Sequence, residues 1–263
     1  MEVSAMEQHT ATLYDRDGHL CLFFTGLVDG EGIPSNQLMI KHGGEAVLFD
    51  PGGDLTYTPL SMALSRHLTL KTDLRYVFAS HQDPDIITSL PRWLMHTDCK
   101  VVCSRLWSRF LPHLVSGVVS GTMKKSLHKR LLELPDEGGQ IPLGDSYIEA
   151  VPAHFLHSVG NFHFYDPISK ILFSGDVGAA ATPGMDHVPV DDVATHIPLM
   201  EGFHQRYMAS NTACRNWVAR VRAMDVEMLV PQHGRPFVGK QKIGEFLDWF
   251  EQLQCGVDLL QEA

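Results

Sequence analysis

Short apolar runs, separated by polar or glycine-rich connections, recur along the chain, and their lengths are typical of strands. The connection His42-Gly43-Gly44 between two of them is typical of a tight turn that joins antiparallel strands. The runs predict strands at residues 19–24, 37–41, 45–49, 74–78, 100–103, 146–151, 161–165, 170–173 and 226–230.

Apolar residues at three- and four-residue spacing predict helices between or after many of these strands. Pro84 is expected in the first turn of one helix, because proline fits the first helical position. The spacing predicts helices at residues 60–68, 84–95, 106–114, 193–208, 214–224 and 243–253. Residues 116–139 show no pattern that assigns them, and residues 178–190 are predicted to form a loop.

The order of these elements indicates the fold class. Strands come first, strands then alternate with helices, a second set of strands follows, and helices with one more strand end the chain. A single parallel sheet does not accommodate this order, whereas two sheets with helices outside them do. No internal repeat and no linker rich in proline, glycine and serine interrupts the chain, so one domain spanning residues 1–263 is predicted.

Composition narrows the classes of function. The formal net charge of −10 argues against a nucleic acid or an acidic membrane as the main partner. No apolar run approaches the ~20 residues of a transmembrane helix, and residues 1–10 lack the basic and apolar regions of a leader peptide. The five cysteines form no Cys-x-x-Cys pair, which favours a reduced, cytoplasmic protein.

The stretch His81-Gln82-Asp83-Pro84-Asp85-Ile86 directly follows the strand predicted at residues 74–78. One imidazole and two carboxylates at alternate positions of a strand-to-helix turn can converge on one point, and they are ligands of zinc, manganese or iron. The alternative interpretation needs no metal, since Asp83 would cap the helix and Pro84 would take its first position. Asp83 can also fill both roles, with one oxygen on the metal and the other on a helix N–H.

Three more stretches place polar residues directly after a predicted strand. They contain His154 and His157, then Asp176, then His233. Each residue alone is more typical of a turn or of a solvated surface. Because side chains at strand ends can reach a shared cleft, four such stretches in one chain favour a common site.

The ordered set of motifs resembles the metallo-β-lactamase superfamily, whose αββα four-layer sandwich holds a two-metal site between its sheets. The superfamily's first motif is His-x-His-x-Asp-His, and this chain has Asp83 at the second histidine. An acid there resembles the flavodiiron branch, as do the phrases His157-Ser-Val-Gly-Asn-Phe162 and Phe173-Ser-Gly-Asp176. The chain is most similar to the stand-alone oxygen-binding di-iron proteins, which lack the flavodoxin domain.

The resemblance implies a set of metal ligands. His81, Asp83 and His157 would hold one iron. Asp85 and His233 would hold the second iron, and Asp176 would bridge the two. His157 is preferred to its competitor His154 because it alone lies against the Ser-x-Gly-Asn turn.

Two further positions carry expectations from the resemblance. Asp50 matches a strand-end acid that supports the metal-binding loop. Ile86 stands where the family has a metal ligand, which implies an open coordination position beside an apolar wall formed by Ile86 itself. The carboxylate of Asp83 replaces a neutral imidazole by a hard anionic donor, which favours iron, with manganese or zinc as alternatives.

These features imply a non-haem di-iron protein that binds O2, or that reduces O2 or NO when an external donor supplies electrons. The chain ends 30 residues after His233 and shows no glycine-rich phosphate loop, so no FMN site is expected. An external reductase or a signalling partner is expected instead, and the family's habit of pairing suggests a homodimer.

Two other functions remain open from the sequence. A dinuclear metallohydrolase of the metallo-β-lactamase type would use the same fold and metal pair. A metal-free family member acting as an interaction module is the third hypothesis, since Ile86 removes one ligand.

Overall fold

The structure is a computed structural model that describes residues 9–28, 30, 32–69, 71–115, 121 and 127–260. Its strands form two sheets. The first sheet has seven strands in sequence order. They are β1 (Thr10–Arg16), β2 (His19–Phe24), β3 (Gln37–His42), β4 (Glu45–Phe49), β5 (Asp73–Phe78), β6 (Lys100–Ser104) and β7 (Leu131–Leu134). The strands β1 to β4 pair antiparallel, and β4 to β7 pair parallel.

The second sheet has six strands in the spatial order β13-β12-β11-β10-β9-β8. They are β8 (Gly139–Leu143), β9 (Ser146–Pro152), β10 (Phe162–Asp166), β11 (Ile171–Phe173), β12 (Met228–Val230) and β13 (Phe237–Val238). All its pairs are antiparallel except β11 with β12.

Helices cover the outer face of each sheet. The described helices are α1 (Asp54–Ser65), α2 (Pro84–Ile87), α3 (Leu90–His96), α4 (Arg105–Ser108), α5 (Val193–Tyr207), α6 (Asn211–Arg222) and α7 (Lys240–Gln252). Short 3-10 helices lie at Leu111–Leu114, Leu127–Arg130 and Gly256–Leu259. None of the helices in the described part of the chain is both long enough and apolar enough to pass through a bilayer.

Three apolar clusters hold the layers together. The inner faces of the two sheets meet in a cluster rich in phenylalanine, where the ring of Phe49 stacks on Phe164 at 5.4 Å and on Phe173 at 5.8 Å. The outer face of the first sheet packs on α1, α2 and α3, and that of the second sheet packs on α5, α6 and α7. This arrangement is the predicted αββα sandwich.

Several predicted elements differ from the structure. Strand β1 was not predicted, because its sequence TATLYDR mixes polar and apolar residues on a half-exposed edge. The helix predicted at 84–95 is two helices, because the N–H of Ser89 donates to Gly52 O instead of continuing the helix. The helix predicted at 106–114 is α4 and a 3-10 turn containing Pro112, which lacks an N–H.

The segment 116–139 contains β7 and the first residue of β8, which the sequence pattern did not assign. Residues 116–120 and 122–126 lie outside the described residues.

Candidate metal centre

Six side chains line one cavity of about 540 Å³ at one edge of the sandwich. Each follows a strand or precedes one, so the sheets fix the loops that carry them. The residues are His81, Asp83 and Asp85 after β5, His157 before β10, Asp176 after β11 and His233 after β12. All six candidates from the sequence therefore come together, and they come from both sheets.

Asp176 lies between the two halves of the site. Its Oδ2 is 3.1 Å from Nε2 of His81 and 3.5 Å from Nε2 of His157. Its Oδ1 faces the other way and lies 3.4 Å from Nε2 of His233. One buried carboxylate thus presents one oxygen to each half, which is the arrangement that a bridging ligand needs.

The first half of the site contains His81, Asp83 and His157, whose ligand atoms lie within 4.8 Å of one another. Oδ2 of Asp83 is 2.8 Å from Nε2 of His157 and 3.8 Å from Nε2 of His81. Asp83 occupies the cap position of α2, but its side chain makes no cap hydrogen bond. The capping role considered for Asp83 was therefore wrong, and its carboxylate turns toward the histidines.

The second half of the site contains Asp85 and His233. Oδ2 of Asp85 lies 3.4 Å from Nε2 of His233. Nδ1 of His233 is 2.8 Å from Pro34 O, so it carries the proton and donates to that carbonyl. With Nδ1 engaged in this hydrogen bond, Nε2 is the nitrogen that faces the carboxylates of Asp85 and Asp176.

Ser80 and Asp50 support His81 from behind. Asp50 Oδ1 accepts from Ser80 N and Asp50 Oδ2 accepts from Ser80 Oγ, both at 2.8 Å. Ser80 Oγ is 2.9 Å from Nδ1 of His81, which fixes the ring with Nε2 toward the cavity. Burial raises the pKa of Asp50 to about 6, although His81 and Ser80 act in the opposite direction. Asp50 has the supporting position that the sequence suggested.

The loop before β10 has a strained backbone. Phe155 and His157 adopt φ values of +66° and +71°, which are uncommon for residues other than glycine. Asn161 Nδ2 donates to Leu156 O, and Ser158 Oγ donates to Gln82 Oε1, so the loop is tied to itself and to the first motif. The strain at His157 is thereby maintained by surrounding hydrogen bonds.

His154 points away from the cavity. Its Nε2 is 2.7 Å from Asp136 O, and its ring packs edge-on against Phe162. The choice of His157 over His154 agrees with this geometry.

The charges in the site support one another. Burial alone would raise the pKa of Asp176, but His81, His233 and His157 outweigh burial and hold that pKa well below its usual range. Burial alone would lower the pKa of His81, but Asp176, Asp50 and Asp83 raise it to about 9. Buried carboxylates and imidazoles therefore occupy the site as mutually stabilised charges.

The residues fit a metal pair. Nε2 of His81 is buried and makes no hydrogen bond of acceptable geometry, although Asp176 is 3.1 Å away. A buried nitrogen whose charged neighbour is poorly oriented for a hydrogen bond gains a better-oriented partner when a metal binds it. Three imidazoles and three carboxylates are a mixed N/O donor set of the kind that iron, manganese and zinc take.

A family model described as "ODP family beta lactamase" matches residues 33–234. The chain belongs to the ODP family. A solved structure described as "Peroxy diiron species of chemotaxis sensor ODP" is 37% identical to this chain, with a TM-score of 0.79. The match covers 95% of this chain and 97% of that chain. The apo state of chemotaxis sensor ODP from T. denticola gives the same identity and coverage with a TM-score of 0.78. The comparison with curated proteins gave no match.

More distant structures share the fold with this ODP-family chain. A mutant of the flavo di-iron protein from Thermotoga maritima is 20% identical, with a TM-score of 0.73 over 92% of this chain and 60% of that chain. The flavodiiron protein from Giardia intestinalis is 17% identical, with a TM-score of 0.74 over 92% of this chain and 59% of that chain. The predicted fold and the predicted resemblance to the flavodiiron-like branch are confirmed.

Ile86 does not form the wall of the cavity that the sequence suggested. Its side chain is fully buried in the cluster between the first sheet and its helices, beside residues such as Leu60 and Leu90. The reason is helical geometry: α2 directs Asp85 toward the cavity and Ile86 toward the core. In this ODP-family chain Ile86 therefore acts as a core residue.

The apolar wall of the cavity comes from residues other than Ile86. They are Ile33, Pro34, Leu199, Phe203 and Tyr207, together with Ala179, Ala180 and Ala181 of the loop after Asp176. Only the alanine loop had a signal, because it follows a ligand directly. Helix α5 lies far from every motif in the sequence, so its contribution depends on tertiary packing.

Proposed function

We propose that this protein is a non-haem di-iron protein that binds dioxygen. The observation that carries the proposal is 37% identity over 95% of the chain to a protein described as a chemotaxis sensor with a diiron species. Six N/O donors converging on one cavity of this chain support the same assignment.

The six donors fall into two groups. His81, Asp83 and His157 would hold one iron, and their ligand atoms lie close together. Asp85 and His233 would hold the second iron. Asp176 would serve both, since its two oxygens face different halves of the site.

When bound, the iron pair supplies electrons and open coordination positions for a diatomic ligand such as O2 or NO. The chain's own residues decide what surrounds that ligand. Phe203 and Tyr207 stack on each other and cover His157, with ring centroids 5.8 and 5.2 Å from its imidazole. The alanines after Asp176 also line the cavity, so apolar surface limits water at the centre.

Three carboxylates favour iron or manganese over zinc because they stabilise a higher oxidation state. Iron is preferred to manganese because the similar chemotaxis sensor is described with a diiron species. An external reductase or a signalling partner then uses the centre, and a sensor role needs no electron source within the chain. The protein acts in the cytoplasm, in agreement with five buried free thiols, and forms a homodimer.

The test is anaerobic loading of the metal-free protein with Fe(II), followed by addition of O2. We expect about two irons per chain and a new visible absorption after aeration. His157→Ala is expected to abolish the absorption and to lower the iron content. His154→Ala is the matched control, since it removes a neighbouring histidine outside the cavity. An unchanged spectrum on aeration of wild-type protein with two irons contradicts the proposal.

The size of the cavity favours the metallohydrolase as the second candidate. About 540 Å³ accommodates an organic substrate as well as a diatomic ligand. Zinc in protein expressed without metal supplements, together with turnover of a thioester, lactam or phosphodiester, would reverse the ranking.

A further inference from the structure

A second group of metal-ligating side chains lies at the other end of the sandwich. Strand β10 begins beside Ser80, whose carbonyl accepts from Phe162 N, and runs away from the metal centre to Asp166. Strand β2 places His19 and Cys21 opposite that end. All three side chains are buried, with 0 to 1% of their surface exposed.

The three ligand atoms lie close together. Nε2 of His19 is 2.7 Å from Oδ2 of Asp166 and 3.5 Å from Sγ of Cys21, and Sγ is 3.9 Å from Oδ2. A point equidistant from these atoms lies about 2.0 Å from each, which matches metal–N and metal–O bonds and is slightly short for metal–S. A point about 0.8 Å out of that plane and slightly farther from Sγ lies at ordinary metal–ligand lengths from all three atoms.

The hydrogen bonds of Asp166 are unevenly distributed. Oδ2 receives four donors: His19 Nε2, Cys21 Sγ, Ser169 N at 3.0 Å and the short contact from Ser169 Oγ. Among the described residues, Oδ1 receives a hydrogen bond only from Ile168 N, at 3.4 Å. A carboxylate has about four acceptor positions over two oxygens, so four donors on one oxygen exceed its ordinary capacity.

We propose that His19, Cys21 and Asp166 bind a divalent metal ion of the zinc type, separate from the six-residue centre. Metal binding moves the imidazole proton of His19 from Nε2 to Nδ1 and releases the thiol proton of Cys21 to solvent. Oδ2 then keeps the metal and the donors from Ser169. A thiolate and a carboxylate balance the charge of a divalent ion, and a neutral imidazole adds none. The hydroxyl of Ser169 or a water completes four ligands.

This site joins the two sheets. His19 and Cys21 belong to the first sheet and Asp166 to the second, so a bound ion crosslinks the layers where the inner core ends. Because the ligands are buried, the ion enters during folding, and its binding energy adds to the stability of the fold. The proposed site shares no residue with the iron site, and its thiolate band is independent of the proposed function. The total metal count in the test includes the two ions of the iron site.

The test uses the full chain expressed in cobalt-supplemented medium. Thiolate bound to Co(II) gives a near-ultraviolet charge-transfer band, and none of the six residues of the first centre is a cysteine. We expect three metal ions per chain and that band in wild-type protein. Cys21→Ser is expected to lose the band and one metal ion and to retain two.

Cys103→Ser is the matched control, because Cys103 is also a buried strand thiol and lies in another cluster. It should retain the band and all three ions. If Cys21→Ser does not fold, X-ray absorption of the zinc-loaded wild type provides the answer through a sulfur neighbour at about 2.3 Å. The proposal is overturned if the wild type binds two ions per chain and shows neither the band nor a sulfur neighbour. It is also overturned if the band survives in Cys21→Ser.

Discussion

Ser80 shows how single residues organise the centre. Its hydroxyl donates to Asp50 and accepts from Nδ1 of His81. The buried carboxylate of Asp50 thus orients, through Ser80, the imidazole that faces the cavity. Ser80→Ala removes the acceptor that fixes the ring. Since loss of such a partner typically costs 10–100-fold in metal affinity, we expect weaker Fe(II) binding of about that size, measured by competition with a chelator.

Ser89→Ala is the control for Ser80→Ala. Ser89 is equally buried, and its hydroxyl donates to Pro51 O without contacting a metal-facing side chain. Its variant is expected to keep the wild-type Fe(II) affinity. Equal losses in the two variants would show that general destabilisation, and not the orientation of His81, weakens binding.

At this scale the sequence identified residue types better than side-chain directions. All six candidate ligands reach the cavity, because each lies beside a strand end that could be read from the sequence. The choice of His157 over His154 could be made from the Ser-x-Gly-Asn turn beside it, although the positive φ at His157 could not be foreseen. The direction of Ile86 depends on the rotation of α2 and does not follow from local sequence.

The loop after β12 is the element with the tightest fit at the site. Gly234 has φ +90°, and a Cβ there would lie 2.8 Å from Ala180 O and 3.1 Å from Ala180 N. Gly234→Ala must therefore separate the loop of His233 from the alanine loop. We expect a lower melting temperature and loss of metal from the half of the site that contains His233, measured by thermal unfolding and metal analysis.

Gly184→Ala is the control that distinguishes the effect of this clash from the effect of backbone strain. Gly184 has φ +75°, but a Cβ there meets nothing within 4 Å. Both variants carry the left-handed backbone strain of roughly 1–2 kcal/mol, and only Gly234→Ala adds the clash with Ala180. Full metal content in Gly234→Ala would refute the importance of this contact.

Elements with strong periodicity were predictable, and elements shaped by tertiary hydrogen bonds were not. The strands at 19–24, 45–49 and 226–230 agree with β2, β4 and β12 to within two residues, because buried strands need continuous apolar runs. The break between α2 and α3 depends on Gly52 and Pro51, which accept from the N–H and hydroxyl of Ser89. Such a contact between distant segments has no local signal.

The molecule as a whole should be sensitive to acid through its buried histidines. Burial lowers the pKa of His204 from 6.5 to about 4 and that of His163 to about 3. The unfolded chain takes up these protons below pH 6.5, whereas the folded protein does not until the pH reaches the lowered values. The free energy of unfolding therefore falls as the pH decreases from about 6.5 to about 4.

His204→Gln tests this dependence, because glutamine keeps a donor and an acceptor beside Met200 O and Gly178 N but does not titrate. We expect its stability to fall less than that of wild type on acidification, by at most about 3 kcal/mol, in urea unfolding of the metal-free protein at several pH values. His128→Gln, at an exposed position, should keep the wild-type dependence. Parallel curves for His204→Gln and wild type would contradict the prediction.

The volume of the main cavity also determines how ligands can be distinguished. The cavity volume is about 540 Å³. One molecule of liquid water occupies about 30 Å³, and a diatomic gas is of similar size. The cavity therefore does not exclude diatomic gases by size. Discrimination among diatomic gases must then come from chemistry and not from size. The same spare room makes the centre open to blockade by compact aromatic inhibitors that pack against Phe203 and Tyr207.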